Sequence, residues 1–178
     1  TIINNVETFA CAPFILKNGG NWYASMGAST KNSRGTKIFS VSGHVNKPGN
    51  YEVEFGTTMA ELLDLAGGMK GGALKACVPG GSSVPMIDAA DTMRAVIGYE
   101  EMGDVKSMVG SGGCMFLNEH TCIVTFIWRT AQFYANESCG KCTPCREGTK
   151  WLVQILDRIR TGGGRSGDIE LLLDVCSQ

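Results

Sequence analysis

Eight cysteines are spread unevenly along the 178-residue chain. Cys139, Cys142 and Cys145 recur at spacings of three within Glu137-Ser138-Cys139-Gly140-Lys141-Cys142-Thr143-Pro144-Cys145-Arg146-Glu147-Gly148, whereas Cys11, Cys77, Cys114, Cys122 and Cys176 are scattered. Thiolates are soft ligands, and three at this spacing let one short loop wrap a corner of a cubic [4Fe-4S] cluster while a fourth ligand comes from elsewhere. Zinc is the competing reading. It calls for paired Cys-x2-Cys units or a suitably spaced His, and the two histidines, His44 and His120, belong to no such motif. A redox disulfide is a third possibility; iron–sulfur fits the spacing best. A ferredoxin-type run would place its next Cys where Thr149 stands, so the fourth ligand is expected from farther away. The scattered cysteines read as ordinary small buried residues.

The surroundings of the loop suit an anionic cluster. Pro144 is placed for a first helical turn with Thr143 as its N-cap, which would aim unpaired amides and a positive dipole end at Cys139 and Cys142. Lys141 and Arg146 add charge of the same sign. Donors to sulfur raise the reduction potential of such a cluster.

The elements that must carry this loop are helical. Thr121 to about Asn136 has Val124, Ile127, Ala131 and Tyr134 at spacings of three and four. Thr143 to about Arg160 carries Leu152, Ile155, Leu156 and Ile159, and after Gly162-Gly163-Gly164 a third helix from Asp168 carries Ile169, Leu172, Leu173 and Cys176. This is the pattern of a small helical bundle. Upstream the period changes to two: Phe39, Val41 and Val45 share a face, and Tyr51, Val53 and Phe55 alternate with Glu52 and Glu54. Asn46-Lys47-Pro48-Gly49 supplies the turn of this hairpin. A helix capped at Thr57-Thr58 follows, with Met59, Leu62, Leu63 and Ala66 on one side and Gly67-Gly68 at its end. A strand over Leu74 to Val78 completes a β-grasp-like order. Residues 84–117 read as a mixed connector ending in a strand from Cys114 to Leu117. Residues 1–35 show little periodicity, and Gly27 to Gly35 has the composition of an exposed linker, which predicts a boundary near 35.

Composition narrows the classes. Sixteen Lys and Arg against seventeen Asp and Glu give a net charge of −1, so there is no bulk electrostatic case for nucleic acid or an anionic membrane. No apolar run reaches the ~20 residues of a membrane-spanning helix, and the first residues are not those of a secretory signal. A chain of this length with 43% hydrophobic residues needs no disulfide framework. It begins with Thr and ends at Ser177-Gln178 directly after an apolar run, which reads as a piece of something longer.

The Val41-Ser42-Gly43-His44-Val45-Asn46-Lys47-Pro48-Gly49 and Gly80-Gly81 segments resemble a soluble-ligand-binding β-grasp domain. Together with Ile3-Asn4-Asn5-Val6-Glu7-Thr8, Gly110-Ser111-Gly112 and the cysteine loop, in this order, they resemble the C-terminal part of the NADH-oxidising flavoprotein subunit of respiratory complex I. That family is shared with NAD-linked hydrogenases and formate dehydrogenases. The resemblance covers essentially the whole chain. It implies an α+β fold with a β-grasp (ubiquitin-like) domain followed by a small helical-bundle iron–sulfur domain. Residues 1–35 would complete a flavin-binding domain, 36–117 would form the β-grasp domain and connector, and 118–178 would form the cluster domain.

The implied activity is that of an oxidoreductase part, passing electrons from NADH-reduced FMN to a [4Fe-4S] cluster, with NAD(H) as substrate of the whole subunit. Asn4 and Asn5 would lie beside the flavin phosphate, and Cys139, Cys142 and Cys145 would hold the cluster. Partners would be other iron–sulfur subunits of a multi-subunit oxidoreductase on the cytoplasmic, or matrix-like, side of a membrane-associated complex, with no nucleic acid and no direct membrane insertion. Two departures stand out. The family's NADH- and FMN-binding fold precedes Asn4-Asn5 and is not in this sequence, so the chain alone is expected to be inactive. The family's fourth ligand lies in a Phe-Cys turn that would fall past Gln178, and Cys176 corresponds better to a structural cysteine.

Plainer readings accompany each of these. Asn4 and Asn5 are also good turn residues, and Gly110-Ser111-Gly112-Gly113 lacks the spacing and Lys of a phosphate loop, so it reads as a tight turn. Trp128, Trp151 and Phe133 read as packing anchors. Glu7 and Glu137 read as isolated carboxylates, and His44 as a surface or hydrogen-bonding residue. The alternative to electron transfer is a non-catalytic partner-docking module whose cysteines hold a structural zinc.

Overall fold

A computed structural model describes residues 1–177, which divide into a compact unit over Thr1–His120 and a second one from Thr121 onward. In the first unit, strand β1 (Thr36–Gly43) turns its Phe39 and Val41 inward, as the period of two requires. It pairs antiparallel with β2 (Gly49–Glu54), Thr36 opposite Glu54 and Val41 opposite Gly49. The hairpin turn is tied down by Asn46, whose Nδ2 donates to the Gly67 carbonyl at 2.7 Å and to that of Met69 at 3.2 Å.

The expected helix is α3 (Met59–Leu65), and it opens with a reciprocal capping box. Glu61 N–H donates to Thr58 Oγ1 (3.1 Å) while Thr58 N–H donates to Glu61 Oε2 (2.7 Å). The Thr58 backbone N–H, and then its hydroxyl, hold the Glu61 carboxyl below its ordinary range. Met59, Leu62 and Leu63 lie buried in the same core as Phe39, Val41 and Phe116. Thr58→Ala should cost about 1 kcal/mol, measured as a shift of the urea midpoint, because the Glu61 N–H loses its acceptor and the Glu61 carboxylate loses the hydroxyl, while the Thr58 backbone N–H keeps its bond.

Residues 84–117 are more than a connector. After β3 (Leu74–Val78) they supply β4 (Ile87–Asp88), α4 (Ala89–Arg94), a 3₁₀ turn (Glu101–Val105) and β5 (Gly113–Asn118). The sheet order is β2-β1-β5-β3-β4, with β5 parallel to β1 and antiparallel to β3. The last strand in sequence is therefore the middle one in space. Its Cys114 and Phe116 have no exposed surface. Cys114 Sγ lies 3.6 Å from Cys77 Sγ of β3, and burial pushes the Cys77 thiol well above its ordinary pKa. Gly80 and Gly110 let two loops touch: a Cβ on Gly80 would stand 2.1 Å from the Val109 carbonyl oxygen, and one on Gly110 would stand 2.2 Å from that of Gly80. Ser111 N–H donates to the Gly80 carbonyl (2.9 Å), so Gly110-Ser111-Gly112 is a tight turn packed on backbone.

The N-terminal stretch differs from its sequence reading. It forms α1 (Val6–Asn18) and α2 (Gly20–Ser25), neither of which buries a residue fully. Val6, Phe9, Phe14 and Leu16 are all exposed; Cys11, Ala12 and Ile15 make the other faces of α1 apolar too, and Pro13 lies inside it, so no polar face sets a helical stripe apart in the sequence. Residues 27–35 are not an exposed linker either. Gly27, Thr30, Ser33 and Gly35 are buried, and the Arg34 guanidinium donates to the carbonyls of Gly27, Thr30 and Ser33 at 2.9–3.1 Å. Lys31 N–H reaches Glu101 Oε1 at 2.8 Å. Polar turn residues satisfy a packed loop by the same groups that would face water in a linker.

In the second unit α5 (Ile123–Glu137) packs on α6 (Thr149–Arg160), burying Ala131, Ile155 and Leu156, and α7 (Asp168–Cys176) follows a glycine turn. Trp128 is covered by the Arg160 guanidinium, 4.2 Å from its ring centroid, a cation–π contact. Trp151 and Phe133 are more than half exposed and do not anchor this core. Cys122 and Cys176 are exposed rather than buried. Among the described residues no helix is long and apolar enough to cross a membrane.

The α6–α7 turn closes on Asp168. Its carboxylate is gripped by the Arg158 fork, with Nε at 3.1 Å from Oδ2, and accepts the Arg165 N–H at 2.8 Å. The Arg158 bond, then the Arg165 N–H, hold the Asp168 carboxyl below its ordinary value. A carboxyl lowered by folding contributes stability that is complete above the unfolded pKa, about 3.9, and fades as pH falls through the folded value. Asp168→Asn should therefore speed amide hydrogen exchange in α6 and α7 at pH 7. The difference from the unaltered protein should begin to shrink below about pH 4 and vanish only once pH has fallen through the lowered folded value.

Candidate metal centre

The cysteine loop begins where α5 ends. Ser138 leaves the helix in an extended conformation, and Gly140, at φ 75°, turns the chain back in the left-handed region that favours glycine. A π-helical turn over Pro144–Gly148 then leads directly into α6. Such wide turns are frequent at functional sites. Here the Thr149 hydroxyl donates to the Cys145 carbonyl at 2.6 Å. Gly148 is buried, and a Cβ there would meet Val175 of α7 at 3.4 Å.

The N-cap expected at Thr143 is absent. Thr143 is already in the right-handed helical conformation, and its hydroxyl accepts from Arg146 Nη2 at 3.3 Å instead of receiving a helix amide. Arg146 organises the loop: Nη1 donates to the Gly140 carbonyl at 2.8 Å, and Nε donates to Glu147 Oε1 at 3.0 Å. Glu147 also faces the Lys150 ammonium at 3.9 Å. Ser138 Oγ lies 3.3 Å from Cys145 Sγ and accepts the Gly140 N–H at 3.2 Å. Neither the Arg146 fork nor the Ser138 contact is visible in the spacing that reveals the cysteines.

Cys139, Cys142 and Cys145 are all exposed thiols, unbridged by disulfides. Among the described residues no three Cys, His, Asp or Glu side chains are gathered closely enough to hold a metal ion. The donor set fits an iron–sulfur cluster in kind: it is three thiols and no imidazole, on a loop braced by Arg146.

In the first unit Asn5 caps α1, its Oδ1 accepting the Thr8 N–H at 3.2 Å, and Asn4 Oδ1 accepts the Asn5 N–H at 2.8 Å. Both side chains are exposed, with their carbonyl oxygens used locally and their amide NH₂ groups suited to donate to an acceptor such as a phosphate oxygen. Glu7, read from sequence as isolated, is in fact paired. Its Oε2 lies 3.3 Å from Lys37 Nζ and its Oε1 accepts the Ile38 N–H at 2.7 Å, bracing α1 on β1.

Residues 38–87 match the SLBB domain, and residues 125–178 match the NADH-ubiquinone oxidoreductase-F iron-sulfur binding region. Each of these two regions is thus similar to one family, and each match covers under a third of the chain. At the level of whole proteins, it is 47% identical over 176 residues to the F subunit of NADH-quinone oxidoreductase of Mycobacterium bovis, covering 98% of this chain and 39% of that protein. It is 42% identical to the corresponding F subunit of Rickettsia bellii, covering 100% of this chain and 43% of that one. A crystal structure of an NAD⁺-reducing [NiFe]-hydrogenase superposes with a TM-score of 0.86 at 31% identity, covering 98% of this chain and 29% of that one. The chain thus spans about two fifths of the curated relatives it matches.

Proposed function

We propose that this chain is the SLBB and cluster-bearing portion of an NADH-oxidising flavoprotein subunit, and that Cys139, Cys142 and Cys145 hold a [4Fe-4S] cluster with a fourth ligand from outside the loop. The observation that carries the reading is the set of three exposed thiols on one loop, within the region that matches the oxidoreductase-F iron–sulfur family. In such a subunit the flavin exchanges a hydride's two electrons and the cluster carries one at a time. Residues 1–35 would complete the flavin-binding part, 36–117 the β-grasp domain and 118–178 the cluster domain, with other iron–sulfur subunits as partners on the cytoplasmic or matrix-like side.

The chain's own residues contribute binding and electrostatics. The Asn4 and Asn5 amides would donate to the flavin phosphate, with Glu7 and Lys37 keeping their helix against the sheet. The Arg146 guanidinium, anchored on the Gly140 carbonyl and paired with Glu147, braces the loop that carries the three thiols. Lys141 adds a positive charge to the same loop. Iron and sulfide analysis, with electron paramagnetic resonance of an anaerobically reduced sample of the full-length subunit, tests the reading. A reduced-cluster signal is the expected result; zinc, or iron without that signal, would sink it in favour of a structural metal.

A further inference from the structure

We infer that the Ser138 hydroxyl donates a hydrogen bond to the sulfur of Cys145 and so raises the reduction potential of the cluster. This rests on the assignment of Cys145 as a cluster ligand. A hydroxyl has one proton and two lone pairs. The Gly140 N–H, 3.2 Å from Ser138 Oγ, takes one lone pair and leaves the proton to be directed elsewhere. Cys145 Sγ lies 3.3 Å away. A ligating cysteine is a thiolate with no proton of its own, so the direction follows: serine donates and sulfur accepts.

The hydroxyl is held in place by the loop's own geometry. Gly140 can present its N–H to Ser138 because it sits at φ 75°, and its carbonyl is fixed from the other side by Arg146 Nη1 at 2.8 Å. Two hydroxyls thus bracket Cys145. That of Thr149 is committed to the Cys145 carbonyl, and that of Ser138 faces the sulfur. A hydrogen bond to a charged acceptor strengthens as the acceptor's charge grows. One-electron reduction puts more negative charge on the ligand sulfurs, so the bond favours the reduced state and shifts the potential upward.

The test uses the full-length subunit with Ser138→Ala and Ser138→Thr, titrated potentiometrically under paramagnetic resonance. Ser138→Ala is expected to lower the reduced-to-oxidised ratio at fixed potential about tenfold, a shift of about 59 mV for one electron. Ser138→Thr, which keeps the hydroxyl, should stay near the unaltered value. Iron and sulfide content should be equal in all three, and an exchangeable proton coupled to the cluster should vanish only in the alanine variant. An unchanged potential in Ser138→Ala with a fully loaded cluster overturns this inference alone. Loss of iron from Ser138→Ala with retention in Ser138→Thr makes the residue a loop anchor and overturns it too. Absence of a cluster from the unaltered subunit overturns the proposed function, and this inference with it.

Discussion

Cys142→Ser should strip the cluster from the full-length subunit, lowering bound iron from about four atoms per chain to well under one. Serine offers a hard oxygen that stays protonated near neutral pH, in place of a soft thiolate. The loop already depends on a ligand outside itself, so losing one of three leaves too few. The fold should not change, because Cys142 is exposed and its carbonyl still accepts the Arg146 N–H at 2.9 Å. Cys176→Ser is the control. Cys176 is an exposed residue on α7 outside the loop, and its replacement should leave iron content and the reduced signal intact. Full iron in Cys142→Ser, or equal loss in Cys176→Ser, would contradict the ligand assignment.

Phe116→Ala should be the most damaging single change to the first unit, costing about 3–5 kcal/mol. Phe116 has no exposed surface and sits on the central strand, among the side chains that join the sheet to α3. Its ring cannot be replaced by local collapse, because β1 and β3 hold β5 in register on both sides. Against a typical domain stability of about 5–15 kcal/mol this is a large fraction, and unfolding at ambient temperature should become measurable. Ile38→Ala, at a β1 position left 46% exposed, should cost under about 1 kcal/mol in the same urea titration. Similar midpoint shifts for the two would place the core elsewhere.

Much of this architecture is legible in the residues. The β1–β2 hairpin announces itself by alternation and a Pro-Gly turn, α3 by its cap and stripe, and β3 by a run that coincides with Leu74–Val78. What a single sequence hides is which strands become neighbours: nothing in Cys114 to Leu117 says that this strand lies between β1 and β3. The helix α1 is hidden because apolar residues fall on nearly all its faces and Pro13 lies within it, and the 27–35 loop because buried and exposed turns share a composition. The site divides in the same way. Thiol spacing along the chain points to the cluster, whereas Ser138 beside Cys145, Arg146 across the loop and Glu7 against Lys37 depend on folding back. The last of these joins residues 30 apart.

The central placement of β5 also governs the order in which the sheet can be made. Ser42 and Cys114, joined by a hydrogen bond in the finished sheet, are 72 residues apart, and the parallel β1–β5 pairing can form only after everything between has been synthesised. Without β5, the sheet order leaves β1 and β3 each with an unpaired edge where that strand will lie. Long-range parallel pairing is slow, and unpaired edges invite association. The interval before Asn118 leaves the ribosome is therefore the period when this unit most needs protection from its neighbours.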